Sequence, residues 1–211
     1  MSARDAAPTL KGAVGRSVAP CSRVDVGEHP VDEEGAAMRW HVESERTIYR
    51  DEWVHLQSAD VILPNGARLD HRLIRRPDGA FTVVVEDGRV LLLFRHRFIT
   101  DSWGWEVPGG AIDPGEKPDV AARRETAEET GWRPMGVLRP LVRFAPMAGL
   151  ASVHHHVFRA DAATYLGPPV DFWEADRVAW VPVEEVRRLV AVGDVREGTS
   201  LVALLTLLAD N

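Results

Sequence analysis

The stretch GGAIDPGEKPDVAARRETAEETGW, Gly109 to Trp132, decides how the chain is read. Two glycines open it, and a run of glutamates closes it just before Gly131. Pro118 near the start, Asp119 beside it and Gly131 just past the end are helix-boundary signals, so a helix of about three turns is expected between them. At about 100° per residue, with Val120 at zero, Glu128 falls near about 80°, Glu125 near about 140° and Glu129 near about 180°. The three carboxylates then share one face, and Val120 and Ala127 on the opposite side are expected to pack on a sheet. Glu125 and Glu129 form a like-charge i,i+4 pair, which destabilises an isolated helix by roughly 0.2–0.5 kcal/mol. A hard divalent cation such as Mg²⁺ reverses that sign, because it takes oxygen ligands and shares them with phosphate oxygens. A merely solvated acidic face is the competing reading of a glutamate run. The loop favours the ligand: Gly109-Gly110 lets backbone approach closely and presents bare carbonyls, and Glu116 is placed to meet Arg124 and fix the loop on the helix.

Working outward, Phe81–Val85 and Arg89–Phe98 flank Glu86-Asp87-Gly88, a hairpin signal. The run Val90-Leu91-Leu92-Leu93-Phe94 is continuously apolar, which predicts a strand covered on both faces. Further strands are expected near Leu138–Phe144, Ser152–Arg159 and Arg177–Val181, then helices over Val183–Val192, stopped by Gly193, and roughly Ser200–Leu208. Upstream, extended runs around Trp53–Leu56 and Val61–Leu63, the Pro64-Asn65-Gly66 turn and a third strand Leu69–Ile74 read as an antiparallel meander. The order of strands, helix, strands and helices, with no internal repeat, predicts an α+β fold. Three segments follow: a disordered leader 1–37, a small β unit 38–77 and a main domain 78–211. Translation starting at Met38 instead of Met1 is an open alternative.

With 211 residues and 45% apolar content the chain can bury a real core. A net charge of -7 argues against gripping nucleic acid through bulk electrostatics, so an anionic substrate needs a metal or local arginines. The single cysteine, Cys21, excludes an internal disulfide and a thiolate metal cluster, which points to a reducing cytoplasm. No apolar run approaches a membrane span.

Gly110, Glu116, Arg124-Glu125, Glu128-Glu129 and Gly131, at their spacing here, resemble the Nudix box at all seven of its defining glycine and polar positions. Thr126 stands where an aliphatic residue is usual, and Trp132 closes the box. The resemblance implies an α/β/α sandwich with a mixed sheet, preceded by the small antiparallel β unit, and hydrolysis of a nucleoside diphosphate linked to another group. It implies Mg²⁺, with Mn²⁺ as the alternative, held by Glu125 and Glu129, with Glu128 sharing a metal or orienting water and the Gly109 carbonyl completing a site. Arg124 and Glu116 hold the loop beside these catalytic groups. Phe94-Arg95-His96-Arg97-Phe98, Trp103 and Glu106-Val107-Pro108-Gly109-Gly110 are similar to the approach to the box in ADP-ribose pyrophosphatases. Those enzymes exchange the small β unit across a homodimer, and they open a C-terminal helix with a segment like Val195–Leu204. Two positions depart from their pattern: Gly109 stands where alanine is common, and no glutamate follows Pro146-Met147-Ala148-Gly149-Leu150.

A late-loop glutamate often acts as general base in that subfamily, which points to Glu174, with Asp171 second; a solvated loop acid is the alternative. Arg95 and Arg97 alternate along one strand and face the same way, so they can clamp phosphate or form a surface salt bridge. Trp53, Trp103 and Trp105 can stack on a base, and only Trp103 matches the family's approach; large core filling is the competing role. His154-His155-His156 lacks cysteine or paired carboxylates at metal spacing and reads as structural. The leading expectation is hydrolysis of ADP-ribose or a related nucleoside diphosphate sugar to a nucleoside monophosphate and a sugar phosphate. The alternatives are a ligand-sensing regulator on the same fold, or hydrolysis of a dinucleoside polyphosphate, NADH or a nucleoside triphosphate.

Overall fold

The computed structural model describes residues 38–210, so the expected leader lies outside the described residues. The first three strands, β1 (His41–Arg50), β2 (His55–Ile62) and β3 (Arg68–Arg75), form an antiparallel sheet in the order β1-β2-β3. This corrects the expected meander. The runs Trp53–Leu56 and Val61–Leu63 are not two strands: Asp51 Oδ1 accepts the N–H groups of Trp53 and Val54 at 2.8 and 2.6 Å, which makes a turn there, and β2 continues from it. The missing strand is β1, exposed at every residue and therefore without the apolar signal that pattern reading uses. β3 is stitched to the main body by Ile74 N–H to the Leu150 carbonyl at 2.8 Å and Ser152 N–H to the Ile74 carbonyl at 3.1 Å.

The main sheet grows from β4 (Gly79–Glu86) and β5 (Arg89–Arg97), whose turn residues Asp87 and Gly88 both take positive φ, as a two-residue hairpin turn requires. Two short strands unforeseen in the sequence follow, β6 (Ser102–Glu106) and β7 (Gly109–Ala111). After them come helix α1 (Pro118–Thr130), β8 (Trp132–Pro134), β9 (Arg139–Phe144), β10 (His155–Ala160), β11 (Ala163–Tyr165), β12 (Arg177–Pro182), α2 (Val183–Ala191) and α3 (Gly198–Ala209). The order is β12-β5-β4-β10-β9, with β6 on β5 and β7 on β4; β4 and β10 are parallel and the other neighbours antiparallel.

β4 and β5 pair only beside their turn, at Val85 with Val90 and Glu86 with Arg89. Beyond it they part, β4 taking β7 as neighbour and β5 taking β6. Helix α1 lies over this split, where Thr82 Oγ1 donates to the Ala122 carbonyl at 3.1 Å. Val90, Leu91, Leu92 and Leu93 are all fully buried. Leu91 packs with Val84, Ala121 and Ala122 on the α1 face, whereas Val90 and Leu92 pack with Val186, Ala203 and Leu204 on the other. The result is a mixed sheet between α1 and the pair α2, α3. The face of α1 that meets the sheet is Ala121, Ala122 and Thr126, not Val120 and Ala127; Val120 is half exposed. Small side chains let the helix sit close to the split, and buried Thr126 satisfies its hydroxyl on the Ala122 carbonyl at 2.7 Å.

Helix α3 is capped by Glu197, whose carboxylate accepts the Thr199 and Ser200 N–H groups at 2.8 and 2.7 Å. Burial would raise this carboxyl, but those bonds outweigh it and hold the group below its usual range. Glu197→Ala is expected to lower unfolding free energy by about 1–2 kcal/mol in urea titration at neutral pH. Because the folded pKa is depressed, the cap's contribution is present above the unfolded value, and the wild-type advantage shrinks as pH falls through the folded one.

Candidate active site

Glu129 is 4% exposed. Its Oε1 accepts Arg95 Nη2 at 2.6 Å and its Oε2 accepts the Gly109 N–H at 2.8 Å. Arg95, also 4% exposed, places Nη1 3.5 Å from Glu174 Oε2 and Nε 3.6 Å from buried Glu106 Oε2. That Nε is the only buried side-chain nitrogen or oxygen among the described residues without a hydrogen bond. Arg97, half exposed, grips Glu106 with two nitrogens, Nε to Oε1 at 3.0 Å and Nη2 to Oε2 at 2.6 Å. The two arginines do share a face, but carboxylates occupy them. Arg95 is buried with Glu106 and Glu129, while its pair with Glu174 reaches a side chain that is 44% exposed.

A second arginine gathers the rim. Arg124 donates to Glu116 through Nε at 3.1 Å and Nη2 at 2.9 Å, and its Nη1 reaches Glu125 Oε1 at 2.8 Å and Glu128 Oε2 at 3.0 Å. Its Nη2 also donates to the Ala111 carbonyl at 3.2 Å, pinning β7. Hydrogen bonding from Arg124 holds the Glu116 carboxyl below its usual range. Burial pushes the Glu125 carboxyl up, against the pull of Arg124. Gly109 has φ 154°, and a Cβ there would collide with the Ala80 carbonyl oxygen and Phe81. Gly110 is bare for a different reason: the Glu125 carboxylate packs over it where a side chain would stand.

The remaining expected residues fall as follows. Glu174 reaches the Arg95–Glu129 pair from a loop tied to the end of α1, where the Val170 and Asp171 N–H groups donate to the Glu128 carbonyl at 2.9 and 3.3 Å. Asp171 supplies the carbonyl that accepts the Glu174 N–H at 3.0 Å. Trp103, half exposed, stacks on Phe94 with ring centroids 5.5 Å apart, and Trp105 packs against the core on the α2–α3 side. Trp53 is exposed in the β1–β2 turn. His156 pairs with Asp78 at 3.1 Å and His155 meets Thr199 Oγ1 at 2.8 Å, away from the glutamates. Sequence reading gave no role to Glu106. Its place opposite Leu93 in the β5–β6 pairing, two residues from Arg95, is the signal that would have found it.

Among the described residues no three His, Cys, Asp or Glu side chains converge as a ready metal cage. The donors nevertheless fit a hard cation. They are carboxylate oxygens with no thiolate, Glu125 and Glu129 lie one turn apart, and Glu128 and Glu174 both act electrostatically against the charge on Glu125. Glu129 is the most deeply buried of the helix carboxylates. Burial pushes its carboxyl up to about 7, with Glu174 adding to the rise, although Arg95 and the Gly109 N–H favour the charged form.

Residues 75–200 match the NUDIX domain, and residues 40–74 match the nucleoside diphosphate sugar hydrolase N-terminal domain. The chain therefore belongs to the Nudix family, whose members act on small nucleotide substrates and generally use divalent metal ions, and it is a pyrophosphohydrolase. It is 40% identical over 173 residues to a CMP-5'-(N-acetyl-N-hydroxy-3-aminopropyl)phosphonate hydrolase of Streptomyces rubellomurinus, covering 81% of this chain and 83% of that protein. It is 26% identical over 160 residues to an ADP-ribose pyrophosphatase of Bacillus subtilis, covering 74% and 86%. A solved structure of an ADP compounds hydrolase superposes with a TM-score of 0.72 at 22% identity, over 81% of this chain and 93% of that one, which shows the shared fold. No helix of the described residues is long and apolar enough to cross a membrane.

A carboxyl raised in the folded state stabilises the fold only while it holds its proton. Without added metal, stability should fall as pH rises from the ordinary carboxyl value of 4.5 to about 7. Urea midpoints measured in chelator across that range check this, and Glu129→Gln should flatten the decline.

Proposed function

We propose that the protein is a Mg²⁺-dependent hydrolase of the anhydride joining a nucleoside monophosphate to a second phosphorus-bearing group. The substrate class is ADP-ribose or a related nucleoside diphosphate derivative, and the products are the nucleoside monophosphate and the released phosphate or phosphonate. The convergence of Glu129, Arg95 and Glu174 on one side of Gly109 carries this reading. The relative that acts on a CMP-linked phosphonate supports including anhydrides whose distal partner is not a sugar phosphate.

Glu125, Glu129 and the Gly109 carbonyl would hold the ion, with Glu128 sharing it or orienting water. Bound there, the ion acidifies a water and neutralises charge on the leaving phosphate. Arg95 aims Glu129 and favours its ionised form, and Arg124 with Glu116 keeps the loop against α1. Glu174, 44% exposed at the cleft edge, takes the proton of the attacking water as its oxygen bonds to phosphorus and the anhydride P–O bond breaks. Arg97 and Trp103 lie at the mouth, where a phosphate and a base can meet them.

The test is nucleoside monophosphate release, with Mg²⁺ or Mn²⁺, from ADP-ribose, ADP-glucose, GDP-mannose, a CMP-phosphonate anhydride, diadenosine polyphosphate, NADH and nucleoside triphosphates. Glu129→Gln and Glu174→Gln should each lower kcat on the order of a hundredfold or more. No release from any substrate overturns the reading, and a normal rate in Glu174→Gln moves the base to Asp171.

The compartment proposed is the cytoplasm, and the assembly a homodimer formed through β1–β3. The wholly exposed β1, with Trp40, Val42, Ile48 and Tyr49 each about half exposed, supports the second. Light scattering should give twice the 23.4 kDa chain mass, and a monomer at micromolar concentration would remove the exchanged unit.

A further inference from the structure

Residues 106–109 form the wall of the cleft, with Glu106 paired to Leu93 of β5 and Gly109 to Phe81 of β4 at its two ends. Glu106 is fixed by Arg95 and Arg97. The Pro108 carbonyl accepts the Thr82 N–H at 3.0 Å. Between them the buried Val107 N–H has a single partner, the hydroxyl of Ser200 at 3.0 Å, from a residue 93 positions later in the chain. Ser200 is itself fully buried. Its hydroxyl proton goes to Glu197 Oε2 at 2.9 Å, which leaves its lone pairs turned to Val107. The segment before α3 backs the same strand: the Trp105 N–H donates to the Asp194 carbonyl at 2.7 Å. Glu197 also acts electrostatically on Arg97, so charges alternate along Glu197, Arg97, Glu106, Arg95 and Glu129 from the helix cap to the cleft.

An ordinary helix cap needs only the backbone N–H groups of its own helix. Here the capping carboxylate orients a hydroxyl whose acceptor side serves another element, two residues before the Gly109 N–H that binds Glu129. We propose that Ser200, oriented by Glu197, is a positioning residue for the metal site, holding the backbone of Val107 to Gly109 in register with Glu129. This rests on the metal-dependent reading above. Removing the hydroxyl leaves the Val107 N–H buried without an acceptor, and the chain relieves that by shifting the segment that carries the Gly109 donor and carbonyl.

The experiment is titration of Mn²⁺ into the chelator-treated full chain, read by the EPR signal of the free ion, at a temperature where every variant is folded by circular dichroism. Ser200→Ala should weaken Mn²⁺ binding by about 10–100-fold, the range for groups that orient metal ligands. Ser200→Cys, which fills the space with a weak acceptor, should weaken it too, and it carries the test if the alanine variant does not fold. Leu205→Gly, in the same helix but half exposed, should lower Tm through lost helix propensity and leave Mn²⁺ affinity unchanged. Wild-type affinity in both Ser200 variants, with only Tm lowered, overturns the proposal and leaves Ser200 a helix-cap residue. Failure of the wild type to bind Mn²⁺ instead overturns the metal reading on which the proposal stands. Loss of binding in Glu129→Gln separates the two results.

Discussion

The arrangement depends on the burial of the Arg95 guanidinium. A charge withdrawn from water is costly unless oppositely charged groups and hydrogen bonds replace its hydration, and breaking such a set leaves an uncompensated ion. Arg95 satisfies that demand by drawing on three separate parts of the chain: Glu106 from β6, Glu129 from α1 and Glu174 from the loop before β12. Each of those carboxylates has to be delivered by a backbone that is otherwise free to be elsewhere. The parting of β4 from β5, the small residues Ala121 and Ala122 beneath α1, and the anchoring of residues 170–171 to the end of that helix are the means of delivery.

The acids around the cleft fall into two groups, each with its own arginine partners. Glu106 and Glu129 are inside, neutralised by Arg95 and Arg97. Glu116, Glu125 and Glu128 are nearer the rim, gathered by the partly exposed Arg124. The like-charge penalty between Glu125 and Glu129 is therefore offset from two directions: one member is turned inward to Arg95 and the other outward to Arg124. A cation entering between them competes with Arg124 for Glu125 and Glu128. At Glu129 it would meet Arg95 on Oε1 and the Gly109 N–H on Oε2.

The sequence made some of this legible and hid the rest for physical reasons. The extent of α1 was readable because Pro118 and Gly131 mark it with backbone constraints, and Gly131 takes the left-handed conformation there. The inward turn of Glu129 was not, because helical angles order side chains around an axis without saying where the sheet lies. Alanines proved closer to the sheet than Val120, since the helix packs over a narrow split. β1 escaped notice because neither of its faces is buried in one chain. The partnership of Val107 with Ser200 joins residues 93 positions apart through one hydroxyl, and no local pattern encodes it. The box residues were singled out through resemblance and helical geometry together, and Glu174 by its place in a family pattern. Its approach to Arg95 depends on the folded path of the loop before β12.

The paired glycines that open the box answer two different constraints, and the difference bears on substrate fit. Gly110 makes room for its neighbour: the Glu125 carboxylate lies where a Cβ would stand. Gly109 is required by the backbone, whose φ of 154° and contact with the Ala80 carbonyl exclude a side chain. ADP-ribose pyrophosphatases, by the resemblance, commonly carry alanine at this position, and alanine would force the backbone away from β4. The wall of the cleft here carries no side chain at 109, and its N–H reaches Glu129. Hydrolysis of the anhydride asks only that the acids and the carbonyl stay in register. Selection of what hangs from the second phosphorus depends on the wall itself, so substrate preference can differ from that of the alanine enzymes while the chemistry remains the same.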